Sequence, residues 1–279
     1  YSDLSITLVG NAAVLPLALV CGIADEVSDY DDTQWSELFS PAGIHNPRLY
    51  KQLKQTDLTI CWLRDPGGTV EQNLRAAGVR RSVVAPGRPP EGRRVHVVNY
   101  LAESVRLEFP TLSDVMPGGN VQDIAAWHDI AEHSTIAIHP GSGGTQKCWS
   151  ISSFAAVIER LWQHNFSVRL LIGPADHERL VQLQKLLSVP PEPHMLQMLI
   201  DAPLVAVAQH ILQCSCYLGN DAGITHLAAM LGVPTIVIFG PSDPAIWRPV
   251  GSDVEVIQAE NLEKLAVDVV IERVLTRLL

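Results

Sequence analysis

The sequence has few aromatic residues, an odd number of cysteines, no excess of positive charge and no apolar run of membrane-spanning length. Its longest apolar stretch, residues 12–24, contains Pro16 and covers about 13 residues, short of the roughly 20 that a membrane helix requires. No basic segment precedes this stretch, so a secretory signal peptide is not expected. The five cysteines are scattered along the chain, which predicts no disulfide framework and favours a reducing cytoplasm.

The charge balance argues against nucleic acid as a partner. The formal net charge is −10, whereas wrapping around nucleic acid requires a basic face. Cys214 and Cys216 lack a second pair of ligands at metal-binding spacing, so no metal site is expected. The chain has 279 residues, which is enough for one large or two medium domains. Hydrophobic residues make up 47% of them, an ordinary fraction for a globular protein with a sizeable core.

Strand and helix patterns alternate with short links through the C-terminal half. The predicted strands are residues 135–139, 166–172, 195–199, 216–219, 235–239 and 254–257. The predicted helices are residues 154–162, 178–187, 203–212, 224–231 and 262–278. This alternation is typical of a parallel sheet with helices on both faces.

The N-terminal half shows the same kinds of element less clearly. Its predicted strands are residues 6–9, 58–62 and 82–84, and its predicted helices are residues 70–77 and 97–109. Residues 110–120 contain Pro117-Gly118-Gly119 and form the best candidate linker. The sequence therefore predicts an α/β protein with two domains, residues 1–120 and 121–279.

The most informative segment follows the predicted strand at residues 216–219. A polar turn, residues 220–223, leads into an apolar helix. A strand, a turn and a helix in this order direct backbone N–H groups and a helix N-terminus at one spot, which suits a phosphate. Thr225 and His226 fall in the first helical turn, so we expect their side chains to reach the same spot. The alternatives are a core position for His226 and a turn-forming role for Asp221.

A second polar loop, residues 139–149, also connects a predicted strand to a predicted helix. Its glycines allow close approach of a ligand, Ser142 adds a hydroxyl and Lys147 adds a mobile positive charge. The loop is not a Walker loop, because Gln146 and Cys148 stand where that motif needs Gly and Ser or Thr. Alone it could be a plain surface turn. Together, the two turns at strand ends favour the ligand crevice of an open α/β sheet.

Four segments of the C-terminal half form one ordered set: residues 139–142 with Lys147 and Trp149, residues 220–229, residues 232–234 and residues 239–244. Together they resemble glycosyltransferase family 9, the heptosyltransferases of lipopolysaccharide core assembly. The resemblance covers most of residues 134–279, in order and in spacing. It implies a GT-B architecture, in which two Rossmann-like domains face a cleft. By the same comparison, we expect the N-terminal domain to lack its first βα unit in this sequence.

The resemblance implies an inverting glycosyltransferase that moves a sugar, typically a heptose, from an ADP-sugar to a lipopolysaccharide-type or other glycan acceptor. It implies no metal or other cofactor. The expected location is the cytoplasm, and contact with the inner membrane surface is an open alternative. A cluster of basic residues in the N-terminal half could serve that contact or be an ordinary solvated loop: Arg80, Arg81, Arg88, Arg93 and Arg94. Two other functions are open, a non-catalytic nucleotide-sugar-binding homologue and a GT-B nucleotide-sugar epimerase.

The resemblance also assigns donor-binding positions in the C-terminal domain. These are Ser142, Gly143 and Lys147 in one loop, Asp221, Gly223, Thr225 and His226 in the other, and Asp176 or Glu178 near the donor ribose. For Asp176 the alternative is a helix N-cap.

The catalytic base has no assigned residue. The family's presumed base is an aspartate in a Gly-Asp loop after the first strand, and this sequence opens on what resembles the second strand. Asp3 does not have that context. Asp65 is a weak substitute, since an aspartate before Pro66 is more typical of a turn. We therefore expect a transferase whose activity depends on a base that these residues do not supply.

Overall fold

The computed structural model describes residues 4–108 and 132–278. The chain divides into two compact units, Tyr1–Asn120 and Val121–Leu279. The predicted linker at residues 110–120 lies outside the described residues. Within the two described ranges, no helix is both long enough and apolar enough to cross a membrane.

The strands of the first unit pair as two parallel ladders. Strand β1 (Thr7–Gly10) pairs with β2 (Glu26–Asp29), and β3 (Leu58–Trp62) pairs with β4 (Arg81–Ala85). The helices of this unit are α1 (Leu15–Val20), α2 (Thr33–Ser36), α3 (Pro47–Lys54), α4 (Thr69–Ala76) and α5 (Val97–Glu108).

Helices α3 and α4 supply much of the core of the first unit. Leu49 and Leu53 of α3 pack with Val70 and Leu74 of α4, and all four side chains are buried. The carboxamide of Asn46 accepts the backbone N–H groups of the first turn of α3 and so caps that helix. The apolar spacing within each helix thus explains which face is buried.

Sequence-based prediction succeeded only in part for the first unit. The strand predicted at residues 58–62 is β3, and the helix predicted at residues 97–109 is α5, with residue 109 outside the described residues. Strand β2 was missed because its sequence, Glu-Val-Ser-Asp, has no apolar run. Helices α1, α2 and α3 were also missed.

Within residues 132–278, the second unit contains one sheet of six strands. These strands are β5 (Glu132–His139), β6 (Ser167–Ile172), β7 (Leu196–Ile200), β8 (Cys214–Asn220), β9 (Thr235–Phe239) and β10 (Val254–Gln258). The helices are α6 (Ile151–Gln163), α7 (His177–Leu186), α8 (Leu204–Leu212), α9 (Gly223–Met230), α10 (Pro244–Trp247) and α11 (Val267–Leu278). The predicted closing helix, residues 262–278, starts later than expected because a separate 3-10 turn, Leu262–Lys264, precedes α11.

Helices cover both faces of this sheet, as the alternation predicted. On one face, α6, α7 and α11 pack on strand residues such as Ile136 and Leu218. On the other face, Tyr217 of β8 contacts Thr225 of α9 through their hydroxyl groups. The β9 strand is buried along its whole length because both of its faces are covered.

The order of the strands reverses between β5 and β8. The sheet runs β10-β9-β8-β5-β6-β7, and every neighbouring pair is parallel. The chain therefore moves outward from β5 through β6 to β7 and then returns to β8 on the other side of β5. His139 lies beside Gly219 at the carboxyl ends of the two strands. Ligands of open α/β sheets bind at such a reversal, and both predicted loops leave the sheet there.

Candidate functional site

The two predicted loops meet at Asp221, directly after β8. The Lys147 ammonium group donates to the Asp221 carboxylate, with Nζ 2.7 Å from Oδ2. The Ser142 hydroxyl donates to the backbone carbonyl of Asp221 at 2.7 Å. The His226 ring lies near the other carboxylate oxygen, with Nε2 3.9 Å from Oδ1. The structure thus brings four predicted donor-binding residues into one cluster.

Burial within this cluster is graded. The Asp221 side chain is only 7% exposed, while the side chains of Lys147 and His226 are each 35% exposed. The backbone N–H of Asp221 donates to Ile238 of the neighbouring strand β9, at 3.1 Å. Asp221 is therefore the inner anchor, and the two basic side chains lie between it and solvent. This exposure argues against a core role for His226.

The surroundings of Asp221 keep its carboxylate charged. Burial alone would raise the pKa of Asp221, but the donors of His226, Lys147 and Ser242 outweigh burial and lower the pKa to about 2. Lys147 Nζ lies 2.7 Å from the Asp221 carboxylate, whereas His226 Nε2, at 3.9 Å, lies beyond direct hydrogen-bond distance. Lys147 therefore faces a full negative charge at neutral pH.

Asp176 is buried against the loop after β5, which carries Ser142 and Lys147. Its carboxylate lies 3.1 Å from His139 Nε2 and accepts the Gly173 N–H at 3.0 Å. These contacts outweigh the effect of burial and lower the pKa of Asp176. A Cβ on Gly141 would overlap this carboxylate, so Asp176 fills space that the glycine leaves open. Asp176 makes no side-chain cap on α7.

The remaining predicted residues differ in accessibility. Glu178 is exposed on the first turn of α7. Gly143 and Gly223 are exposed, and a Cβ on either would meet nothing within 4 Å. Thr225 is fully buried, and its hydroxyl donates to the last carbonyl of β8 at 2.5 Å. The Thr225 hydroxyl therefore supports the turn from inside, whereas we had expected it to reach the ligand spot.

Sequence reasoning assigned no role to three residues that support the loop after β5. These are His139, Arg179 and Asn220, which bond to Asp176 or to the backbone at the ends of the loop. Their partners lie 30 or more residues away in the sequence. No local pattern signals such contacts.

Asp65 in the first unit acts as a turn residue. Its carboxylate accepts the backbone N–H of Glu71 at 3.1 Å, and its carbonyl accepts the N–H of Gly68 at 3.1 Å. These bonds hold the start of α4. This geometry agrees with the turn interpretation of Asp65.

The first unit also holds a cavity of about 330 Å³ lined by residues of β4 and α5 and by Arg93. Arg93 pairs with Glu103 at 2.6 Å and lies 5.7 Å from the centre of the Tyr100 ring. Arg80 of the same basic cluster pairs with Asp57 at 2.9 Å. This cavity contains none of the predicted donor-binding residues. We therefore place the candidate site at the loops after β5 and β8, on the strength of the strand reversal and the converging charges.

A parallel α/β sheet with two polar loops at its reversal point defines a class of ligand-binding α/β proteins. The chain belongs to glycosyltransferase family 9 (heptosyltransferase), whose family model matches residues 96–272. Two curated relatives are similar in sequence. Lipopolysaccharide heptosyltransferase 3 of Escherichia coli is 29% identical over 117 residues, covering 41% of this chain and 33% of the relative. Lipopolysaccharide heptosyltransferase 2 of Escherichia coli (strain K12) is 25% identical over 162 residues, covering 53% of this chain and 47% of the relative.

The chain spans about a third to a half of the length of these curated relatives. Solved structures agree in fold. ADP-heptose lps heptosyltransferase II of E. coli has a TM-score of 0.72 at 17% identity, covering 100% of this chain and 90% of that one. An E. coli heptosyltransferase with ADP has a TM-score of 0.67 at 14% identity, covering 97% and 99%. The predicted α/β fold of the GT-B glycosyltransferases is confirmed.

Proposed function

We propose that the second unit binds the diphosphate of an ADP-sugar between the loops after β5 and β8. The single observation that carries this proposal is the convergence of Lys147, Ser142 and His226 on Asp221. A cation, a hydroxyl and the N-terminus of α9 then lie at one edge of the sheet. This is the combination that anionic phosphates need.

We further propose that the protein transfers the sugar, a heptose, to a lipopolysaccharide-type acceptor with inversion. The acceptor oxygen would attack the anomeric carbon while the bond from that carbon to the diphosphate oxygen breaks. Lys147 and the backbone donors would stabilise the charge that develops on the leaving ADP. This scheme assigns charge neutralisation to side chains and amides and requires no metal ion.

The acceptor and the location are proposed from family membership and from the sequence, and the catalytic base is left unassigned. The acceptor, a glycolipid or another glycan, is proposed because the curated relatives are named lipopolysaccharide heptosyltransferases. The base that takes the acceptor proton has no assigned residue. A cytoplasmic location with contact to the inner membrane stays a prediction, and the pairing of Arg80 and Arg93 reduces the free positive charge for that contact.

The proposal is tested by titration calorimetry of the full chain with ADP, UDP and GDP. We expect ADP to bind and the other two to bind at least tenfold more weakly. A second assay follows ADP release from ADP-heptose in the presence of heptose-acceptor lipopolysaccharide. Binding without release would support the nucleotide site but not the transfer step in this chain, and binding of none of the three nucleotides would refute the proposed site.

Lys147→Ala tests the cation directly. We expect ADP binding to weaken by about 1–3 kcal/mol, because a charge-assisted hydrogen bond to phosphate is lost. Lys185→Ala is the matched control, since Lys185 is an exposed lysine on α7. Equal ADP affinity of the two variants would remove Lys147 from the site.

A further inference from the structure

The side chain of Asn220 forms hydrogen bonds with both ends of the loop that carries Ser142 and Lys147. The Asn220 carboxamide nitrogen donates to the carbonyls of Pro140 and Gly141, at 2.8 and 3.2 Å. Its carboxamide oxygen accepts the backbone N–H of Trp149 at 2.9 Å. Asn220 is fully buried. One amide group therefore bonds both ends of the loop.

A second side chain bridges the same two ends from a different element. Arg179 lies near the start of α7, and its Nε donates to the carbonyl of Pro140 at 3.0 Å. Its Nη2 donates to the carbonyl of Trp149 at 2.8 Å. The planar guanidinium spans the two carbonyls in a way that a lysine ammonium cannot. Two independent groups thus fix the distance between the loop ends.

This arrangement connects the base of the loop to its functional tip. Asn220 fixes the base, and the next residue, Asp221, holds the side chains of Ser142 and Lys147 at the tip. The glycines of the loop would otherwise leave its backbone free to adopt many conformations. We propose that Asn220 and Arg179 form a clamp whose function is to position the phosphate-binding groups of this loop. Neither residue needs to touch the ligand.

The clamp rests on the proposed nucleotide function but predicts something beyond it. Only the phosphate-binding groups depend on the loop, so the effect should grow with the number of phosphates. In the Arg179→Lys variant we expect ADP affinity to fall about tenfold and AMP affinity to fall less, which lowers the preference for ADP over AMP. If Arg179 merely stabilised the fold, its replacement would weaken the binding of ADP and AMP equally or would change neither.

The experiment measures the dissociation constants of ADP and AMP and the hydrogen exchange of peptides covering residues 140–149. The variants are Arg179→Lys and Asn220→Asp, which keeps the shape but removes the amide donor. Arg160→Lys is the control, because Arg160, near the C-terminal end of α6, makes an exposed ion pair with Asp268 of α11. We expect faster exchange in the loop and a reduced ADP preference in both test variants, and no change in the control.

The outcomes separate the clamp from the function on which it rests. If Asn220→Asp does not fold, the part-exposed Arg179 still provides the test. An unchanged ADP-to-AMP ratio with unchanged loop exchange in Arg179→Lys would overturn the clamp. If the unaltered protein binds neither ADP nor AMP, the proposed function fails, and loop exchange alone then decides whether the clamp exists.

Discussion

Replacing Asp221 with asparagine tests the electrostatics of the site most directly. The variant keeps the shape of the side chain but removes the charge that faces Lys147 at 2.7 Å. The Asp221 pKa is about 2, against an ordinary value of 3.8. At about 1.4 kcal/mol for each pH unit, this difference corresponds to about 2.5 kcal/mol of folding stability at neutral pH. We expect Asp221→Asn to lose about 2 kcal/mol at pH 7.

The pH dependence of this loss has a definite sign. The folded-state pKa of Asp221 lies below the unfolded-state pKa, so the stabilisation is complete above about pH 4 and disappears as the pH falls towards 2. At pH 3 about half of it should remain. The stability difference between the unaltered protein and Asp221→Asn should therefore shrink to about half between pH 7 and pH 3.

The assay is urea unfolding at pH 7, 5, 4 and 3, with hydrogen exchange of β8 peptides to identify the transition of the second unit. Asp268→Asn is the control, because its carboxylate is 79% exposed and forms a surface ion pair with Arg160 at 3.1 Å. We expect the control to change stability by less than about 1 kcal/mol. A difference for Asp221→Asn that is absent at pH 7, or that stays constant down to pH 3, would refute the reasoning.

Two further substitutions probe the packing behind the loops. Gly141→Ala should destabilise the second unit by about 1–3 kcal/mol, because the added methyl group overlaps the buried Asp176 carboxylate; urea unfolding measures this, and Gly143→Ala, with open space around its Cβ, is the control. Equal stability of the two alanine variants would contradict the close approach. Thr225→Val should cost about 1–3 kcal/mol, because it removes the hydroxyl 3.0 Å from the buried Tyr217 hydroxyl. A thermal unfolding midpoint unchanged from that of the native chain would show that this buried pair contributes little.

The fold of the second unit could be predicted because most of its elements carry their own signal, although the four-residue helix α10 was not predicted. The apolar run of β9 and the 3.6-residue spacing on α6 are local patterns, and strands alternating with helices imply a parallel sheet. The two loops could be placed because the carboxyl ends of parallel strands share one edge. Strand β2 of the first unit was not predicted because its residues are mostly polar.

The internal supports of the site could not be predicted from sequence. Asp176 meets His139 across 37 residues, and Asn220 meets Pro140 across 80. Such pairs depend on strand order, which no single segment specifies. For the same reason, the sequence could not show that Thr225 faces inward while His226, its neighbour, is part-exposed. The accessibility of a helical residue depends on which side the sheet occupies.

The position of β8 beside β5 affects how the second unit assembles its candidate site during folding. Ser142 and Asp221 are separated by 79 residues, and the intervening chain forms the β6–β7 half of the sheet. Contacts of such large sequence separation form late, since loop closure must precede them. A partly folded chain would therefore hold the lysine loop without its carboxylate partner. Under the proposed function, a nucleotide would stabilise only the completed sheet, so its presence during synthesis would favour chains that have finished folding.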